Sequence, residues 1–201
     1  MDRRSDRAAA WRARGDRALV TFTQLALSGV WVIDAEVHGD ERGVLRRSFC
    51  AQEFAERGLV NTVLQGNVSE NPHLGTLRGF HYQVQPFEEA KTIMCLSGAV
   101  FDIVADLRPA SPTFMQWVGV ELSAAARRSL HVPAGCANAW LTIAANTTVH
   151  YYMSELYAPA SYRGFRYNDP AFGFRWPSEP RLISDKDRSF PDFDPASMAR
   201  P

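Results

Sequence analysis

The 201-residue chain lacks the short motifs that mark the common cofactor-dependent and nucleophile-dependent enzymes. It contains no GxGxxG fingerprint for dinucleotides, no phosphate-binding loop with its lysine, and no GxSxG elbow. No two histidines form the HxH or HExxH pair that binds metal in many small β-barrels. The chain has five histidines, which are His38, His73, His81, His131 and His150. We therefore expect no metal site and no cofactor.

The chain also has little cysteine, no net charge and no long apolar run. Its three cysteines, Cys50, Cys95 and Cys136, are widely spaced and form no CxxC pair, which favours free thiols in a reducing cytoplasm. Lys+Arg and Asp+Glu both number 22, so no global field attracts the chain to nucleic acid or to an anionic membrane. No stretch approaches the roughly 20 apolar residues of a membrane span. These absences indicate a cytoplasmic protein.

Residues 1–22 differ in composition from the rest of the chain. They carry many arginines interspersed with aspartates, and they have no apolar run of the signal-peptide type. We expect a flexible N-terminal extension, with a nucleic-acid-binding arm as a remote alternative. Residues 23–201 show no repeat and no linker, which predicts a single domain. Its tail, after about residue 178, is rich in Pro, Asp and Ser and predicts an irregular wrap.

After residue 22, short runs rich in β-branched and aromatic residues recur between Gly, Pro, Asn and Asp. Their length and close spacing are typical of an all-β sandwich or barrel. Within the run 91–107, Ser97-Gly98 predicts a hairpin turn, and the apolar residues on both sides of the second half predict a strand covered on both faces. Residues 51–59 are the best helix candidate, ending at Gly58.

One stretch, GTLRGFHYQ (75–83), concentrates residues that carry chemistry. In a regular strand Arg78 and His81 would point to opposite faces, unless Gly79 bends or bulges the chain. A histidine alone in such a strand is as often structural as catalytic. The residues by themselves therefore leave the role of His81 open.

The whole set of motifs resembles the dTDP-4-dehydrorhamnose 3,5-epimerase family, small cupin-type β-barrels that usually dimerise. The resemblance runs from about Leu25 to Pro177. It implies an all-β fold, a cupin-like jelly-roll β-barrel with a few short helices, a homodimer, and an isomerase with a nucleotide-sugar substrate. The motifs that carry it are, in order, GDERG (39–43), LRGFHYQ (77–83), KTIMCLSGAVFDIVADLR (91–108), SPTF (111–114), VGVELSA (118–124), VPAG (132–135), YYMSELYAP (151–159) and YNDPAFGFRWP (167–177).

The resemblance implies a catalytic set. His81 of LRGFHYQ matches the general base, and Asp169 of YNDP matches the carboxylate that orients it. Tyr151 matches the general acid on the opposite face of the sugar, while Lys91 and Arg78 match cations near the keto oxygen. Without the resemblance, Asp169 would be interpreted as a turn residue, and either Tyr151 or the adjacent Tyr152 could face the core.

The same resemblance implies substrate contacts, and it also shows two departures. Arg42 of GDERG, Gln65 and Asn67 match positions that touch the nucleotide or its phosphates. Asn138 stands where the family usually has a histidine, and Trp140 adds bulk near the expected cavity. Asparagine can donate a hydrogen bond to an enolate but carries no charge. Arg47 stands where the family tends to have an acid, which puts the identity of the nucleotide or sugar in doubt.

These residues suit proton abstraction next to a ketone. A histidine titrates near neutrality, and preorganised cations stabilise the enolate as its charge develops. The predicted function is epimerisation at C3, with C5 left open, of a nucleotide-diphospho-4-keto-6-deoxy sugar. Two alternatives remain: a mono-epimerase or keto-isomerase on a related nucleotide sugar, and a non-catalytic protein that binds nucleotide sugars.

Overall fold

The computed structural model describes residues 20–198 and contains fourteen strands, two short α-helices and one 3₁₀ helix. The strands are β1 (Val20–Gln24), β2 (Trp31–Ala35), β3 (Val37–Asp40), β4 (Gly43–Arg46), β5 (Gln65–Asn71), β6 (Thr76–Gln83), β7 (Lys91–Ser97), β8 (Ala99–Asp106), β9 (Trp117–Ser123), β10 (Arg128–Val132), β11 (Cys136–Thr142), β12 (Thr147–Met153), β13 (Tyr162–Gly164) and β14 (Leu182–Ile183). The α-helices are α1 (Ala51–Ala55) and α2 (Asp185–Ser189), and the 3₁₀ helix is Pro195–Met198.

Two six-stranded sheets face each other, which confirms the prediction of a cupin-like jelly-roll β-barrel. The first sheet has the order β1-β2-β10-β7-β12-β5, and the second has the order β13-β6-β11-β8-β9 with β14 added beside β6. Apolar side chains from both sheets, such as Ile93, Val104 and Leu130, meet between them in one core cluster. The β3–β4 hairpin stands apart from both sheets, and the side chains of β3 and β4 are mostly exposed.

The prediction of a hairpin at Ser97-Gly98 is wrong. Strand β7 pairs with β10 and β12 in the first sheet, whereas β8 pairs with β9 and β11 in the second. The chain therefore turns a corner between layers at Gly98, where φ is +67° and a Cβ would collide with Thr147. Two strands separated by a glycine are typical of a hairpin, but strands buried on both faces can equally belong to different layers. Strand β8 is buried along most of its length, as expected.

The C-terminal segment covers the outer face of the second sheet. Phe165, Phe172 and Phe193 pack there against Phe80 and Ile103. Full burial of one such aromatic side chain stabilises a protein by about 1.5–3 kcal/mol. The segment after residue 178, predicted as an irregular wrap, also forms β14, which pairs in parallel with β6, and helix α2. This docking brings α2 to the strand that carries His81, with consequences for the site.

The other predictions on local structure are mostly confirmed. Helix α1 falls inside the predicted span 51–59, and the backbone N–H of Leu59 donates to Phe54 just beyond Gly58. Strand β1 begins at Val20, inside the predicted extension 1–22, and residues 1–19 lie outside the described residues. The three cysteines are free thiols. No helix among residues 20–198 is long and apolar enough to span a membrane.

Candidate active site

A cavity of about 560 Å³ opens between the two sheets. One wall consists of strands β5, β7 and β12 of the first sheet, and the opposite wall consists of β6 and β11 of the second. The cavity receives seven of the ten predicted catalytic and substrate-binding residues. They are Gln65, Asn67, Arg78, His81, Lys91, Asn138 and Tyr151.

Gly79 allows Arg78 and His81 to reach the same cavity. His81 lies opposite Asn138 of β11 and Arg78 lies opposite Trp140, so three steps on β6 correspond to two on β11. This bulge is the one that the sequence predicted at Gly79, where φ is +116°. A Cβ at this position would lie 2.6 Å from the carbonyl oxygen of Asn138, so only glycine fits.

The partner of His81 is Asp187, and the prediction of Asp169 is wrong. The Nε2 atom of His81 lies 2.8 Å from Oδ1 of Asp187 on α2. The carboxylate of Asp169 is buried elsewhere, where it accepts hydrogen bonds from the backbone N–H groups of Ala171 and Phe193. Asp169 therefore has the turn-shaping role that its position before a proline suggested.

A local capping arrangement fixes Asp187 toward His81. The hydroxyl oxygen of Ser184 caps α2 by accepting from the backbone N–H of Asp187 at 3.1 Å. The second carboxylate oxygen of Asp187 accepts from the backbone N–H of Gly79 at 3.3 Å. The run Ser184-Asp-Lys-Asp187 is a recognisable helix-start signal. It was missed because the tail predicted no regular structure.

The His81–Asp187 pair favours a neutral imidazole beside a charged carboxylate. Burial lowers the pKa of His81, and the charges of Lys91 and Lys186 lower it further. Together these effects outweigh the hydrogen bond and charge of Asp187, which raise it. Burial alone would raise the pKa of Asp187, but hydrogen bonds from His81, Gly79 and Ser184 together lower it. With its Nε2 proton donated to Asp187, the imidazole keeps a lone pair on Nδ1, which makes it a base.

Lys91 is a buried ammonium held by three acceptors. Its Nζ lies 2.9 Å from the carbonyl oxygen of His81, 3.2 Å from Oδ1 of Asn138 and 3.1 Å from Oε1 of Glu89. The three N–H groups of an ammonium match these three oxygens. Lys91 therefore carries a fixed positive charge in the cavity wall between His81 and Asn138.

Behind Asn138 lies Asp102, whose side chain is fully buried. The amide nitrogen of Asn138 donates to the Asp102 carboxylate at 3.2 and 3.4 Å. Burial raises the pKa of Asp102 well above its ordinary value, although Asn138 and Lys91 lower it in part. Asn138 thus connects a buried carboxyl to Lys91 through the two ends of one amide.

Tyr151 lies on the cavity wall opposite His81, and Tyr152 does not face the cavity. Burial raises the pKa of Tyr151, Arg78 lowers it and Glu89 raises it further. The hydroxyl of Tyr152 instead lies 3.0 Å from Ser48 Oγ, outside the barrel. The alternation of strand β12 therefore decides between the two tyrosines as the resemblance implied.

The remaining predicted substrate contacts divide into two groups. Gln65 and Asn67 both line the cavity, and the Gln65 amide donates to Asn67 Oδ1 at 3.0 Å. Arg42 and Arg47 do not line it. Arg42 forms an ion pair with Asp40 in the exposed hairpin turn, and Arg47 pairs with Glu53 of α1 at 3.0 Å. Within one chain, the site therefore does not include these two arginines.

The structure adds cavity residues that the sequence did not single out as site residues. Trp140 lines the cavity as expected from its bulk, and its ring centroid lies 5.9 Å from that of Tyr151. Glu89, Tyr157, Tyr162 and Lys186 also line it. Among residues 20–198, no three or more His, Cys, Asp or Glu side chains are grouped so as to hold a metal ion.

Comparison with known proteins identifies one family. The family model for dTDP-4-dehydrorhamnose 3,5-epimerase matches residues 24–195. An enzyme of that name from Salmonella typhimurium is 38% identical over 182 residues, which cover 90% of this chain and 99% of the relative.

Solved structures of similar proteins share the fold. The dTDP-4-dehydrorhamnose 3,5-epimerase of Bacillus anthracis superposes with a TM-score of 0.83 at 33% identity, covering 87% of this chain and 99% of that one. The 3′-monoepimerase ChmJ of Streptomyces bikiniensis, in complex with dTDP-quinovose, has a TM-score of 0.78 at 34% identity, covering 84% of this chain and 85% of that one.

Proposed function

This chain belongs to the dTDP-4-dehydrorhamnose 3,5-epimerase family, and from that membership we propose that it inverts C3, and C5 as a second centre, of a nucleotide-diphospho-4-keto-6-deoxy sugar. The chain is an isomerase of the epimerase class. The observation that carries the proposal is the His81–Asp187 pair, which faces Tyr151 across a cavity large enough for a sugar.

His81 acts as the base. Its Nδ1 accepts the proton alpha to the ketone, and the charge of Asp187 stabilises the imidazolium that forms. Asp187 also holds the ring in the tautomer that leaves Nδ1 unprotonated. The lowered pKa of His81 keeps the base neutral at physiological pH. No further group is needed to activate it.

Two cations, Arg78 and Lys91, stabilise the negative charge of the enolate oxygen. The Nε–H of Arg78 donates a hydrogen bond to Asn71 Oδ1 at 2.9 Å. Within residues 20–198 the Arg78 side chain makes no other hydrogen bond. Its outer guanidinium nitrogens are therefore available to the keto oxygen. Lys91 contributes its charge from the wall, because its three N–H groups already have acceptors. Such preorganised charges stabilise an oxyanion as it develops.

Tyr151 acts as the acid that completes inversion. Inversion requires a new proton on the face opposite the base, and Tyr151 comes from the sheet opposite the one that carries His81. Because its pKa is raised, the phenol stays protonated until it donates its proton to the carbanion. Gln65 and Asn67 line the cavity on β5, and we assign them to the nucleotide part of the substrate.

We further propose a cytoplasmic homodimer in which the β3–β4 hairpin reaches a second copy. Leu45 of this hairpin is 73% exposed and Val44 is 53% exposed, although both are apolar. Arg42 at its turn contacts only Asp40 of its own chain, among the residues described. A second copy would give Arg42 the nucleotide phosphates that its own cavity does not offer.

A mono-epimerase is the second candidate, and Asn138 favours it. This residue replaces the histidine usual in the family, and an amide cannot exchange a proton with the substrate. Relatives of both kinds exist, because a 36% identical protein of Streptomyces bikiniensis is a dTDP-4-dehydro-6-deoxyglucose 3-epimerase.

Proton NMR in deuterium oxide tests both candidates with dTDP-4-keto-6-deoxyglucose as the substrate. Deuterium incorporated at C3 and C5 is the expected result, and the His81→Ala enzyme should incorporate none. Deuterium at C3 alone would replace the double epimerase with a mono-epimerase. Absence of exchange at every centre, with the nucleotide sugar still bound, would overturn the catalytic proposal in favour of a binding protein.

A further inference from the structure

The residue directly opposite His81 on the neighbouring strand is a glycine, and Phe190 fills the space beside it. Gly164 of β13 pairs with His81 of β6. Residues that lie opposite each other in an antiparallel pair point to the same face of the sheet. A Cβ on Gly164 would lie 2.5 Å from the ring of Phe190. The Phe190 ring therefore occupies the place, next to the imidazole, that a side chain at position 164 would take.

The imidazole of His81 belongs to a cluster of three rings. Its centroid lies 5.3 Å from that of Tyr162 and 6.1 Å from that of Phe190, and the latter two rings lie 6.3 Å apart. These separations are those of packed rings. Phe190 directly follows α2, whose Asp187 lies 2.8 Å from the Nε2 atom of His81. The segment that supplies the partner of the base thus also supplies a ring that covers part of it.

A second phenylalanine of the same segment shows what a purely structural ring does there. Phe193 is 7% exposed and packs against Phe165 and Phe172 on the outer face of the second sheet. The ring contacts of Phe190, in contrast, are with His81 and Tyr162. Phe190 does not line the cavity, so any effect it has on the chemistry acts through its neighbours.

Several titratable groups face the imidazole from three elements. Asp187 and Lys186 come from α2, Lys91 from β7 and Tyr162 from β13. The ammonium of Lys186 lies 4.0 Å from the centroid of the Tyr162 ring. Burial is the largest cause that lowers the pKa of His81, the two lysines lower it further, and Asp187 raises it. Side chains that displace water from the imidazole contribute to this burial.

We propose that Phe190 is a positioning residue for the base, which acts by covering the imidazole of His81 together with Tyr162. The two rings exclude water from the hydrogen bond between His81 and Asp187 and restrict rotation of the imidazole. Nε2 then stays bonded to the carboxylate, and Nδ1 stays free to accept a proton. This inference rests on the proposed function, because it assigns how the base of that reaction is held.

The test removes the Phe190 ring and follows the titration of His81. Phe190→Ala should raise the pKa of His81 toward about 6.5, the value of a histidine in water. Proton NMR of the imidazole ring measures it directly, and His81→Ala identifies the resonance. The acid limb of kcat/KM should move upward with it, so that activity is lost at a higher pH as the pH falls. Affinity for dTDP, measured by calorimetry, should not change, because Phe190 does not line the cavity.

Gly164→Ala displaces the Phe190 ring without removing it. Its added Cβ would collide with that ring, while the backbone at this position has no left-handed φ that would strain alanine. The variant should therefore raise the pKa of His81 in the otherwise wild-type chain. In the Phe190→Ala enzyme the same change should have no further effect, because the two substitutions act on one contact.

Conservative replacements separate the covering of the base from general packing. Phe190→Leu restores apolar bulk and should return the pKa of His81 most of the way to the wild-type value. Phe193→Leu, the matched control three residues away, should lower the thermal midpoint and leave the His81 titration unchanged. Tyr162→Phe keeps the ring and should leave the titration unchanged, whereas Tyr162→Ala should raise the pKa.

A folded Phe190→Ala enzyme in which His81 titrates as in the wild type would overturn the inference. An equal shift in Phe193→Leu would also overturn it, because the effect would then come from loosening of the whole segment. The titration uses the protein without substrate. It is therefore independent of the proposed function, whose failure would appear as absent deuterium exchange by the wild type.

Discussion

The middle and the end of strand β8 bury two carboxylates in opposite ways. Asp102 and Asp106 lie four residues apart, and neither side chain is exposed. Asp106 accepts hydrogen bonds from Arg108, Ser111 and Thr113, whereas among residues 20–198 Asp102 has only the Asn138 amide as a donor.

The pKa values follow this difference. Burial raises the pKa of Asp106, but the surrounding donors overcome it and lower the value to about 2. For Asp102, burial dominates and the pKa rises. The comparison teaches that the Asp106 carboxylate has enough donors to stabilise its charge, while the single amide that contacts Asp102 does not offset the cost of burying a charge there. Removing the charge of Asp106 should therefore destabilise the fold, whereas removing the charge of Asp102 should not.

The largest effect is expected at His81. The His81→Ala enzyme should lose proton exchange by about 10²- to 10⁴-fold, the usual share of a general base, while its thermal midpoint stays near that of the wild type. Solvent deuterium incorporation measures the exchange. His150→Ala, on the same strand as Tyr151 but on its other face, is the matched control and should keep full activity.

The pH dependence of kcat/KM for the wild-type enzyme gives a second test of His81 as the base. Because burial lowers the pKa of His81, the acid limb of kcat/KM should lie below pH 6.5, the ordinary histidine value. Activity is present above that limb and is lost as pH falls through it. A limb at or above pH 6.5 would contradict a buried neutral base.

The second-largest effect is expected on the stability of the fold, at the hydrogen-bonded carboxylate of Asp106. Asp106→Asn should destabilise the protein by about 1–3 kcal/mol, because it removes the charge and one of the two acceptor oxygens that Arg108, Ser111 and Thr113 share. The wild-type contribution is present above about pH 4 and is lost as pH falls toward 2, because the folded-state pKa is lowered. Chemical denaturation at several pH values measures it. A large fall in kcat/KM of the folded enzyme would break the comparison.

A smaller effect is expected at Tyr151. Tyr151→Phe should slow product formation about 10²-fold, within the range of general acid catalysis, and slow the initial proton loss less. Loss of deuterium from substrate labelled at C3, followed beside product formation, separates the two steps. Tyr152→Phe is the control, because that hydroxyl faces Ser48 outside the barrel. Equal slowing of both steps would show that Tyr151 is not the acid.

The smallest effect is expected at Asp102. Because its folded-state pKa is raised, the wild type loses stability as pH rises above about 4, the value for an unfolded aspartate. Asp102→Asn removes that loss, so at pH 7 the variant should be as stable as the wild type or up to about 1 kcal/mol more stable. Thermal unfolding at pH 5 and pH 8 tests the sign. Marked destabilisation at pH 8 would show that the surroundings of Asp102, like those of Asp106, stabilise its charged form.

Much of the site could be predicted from single segments of the sequence. The bulge at Gly79 places Arg78 and His81 together, whereas strand alternation predicted only that one of Tyr151 and Tyr152 faces inward, and the resemblance selected Tyr151. Both results depend on local backbone geometry, which a short stretch specifies. The hairpin prediction at Gly98 failed because local pattern does not say in which layer a strand finds its partner.

The amino-acid sequence by itself determined the β-rich fold and the family, and through the resemblance to that family it predicted His81 as the base. Strand alternation and ordered motifs are properties of short segments, so they can be identified without a structure. Only the tertiary structure decided that Asp187, and not Asp169, orients His81, and that three acceptors hold Lys91. The pair His81 and Asp187 is 106 residues apart. Such contacts depend on how the C-terminal segment docks on β6, and no local pattern encodes that path.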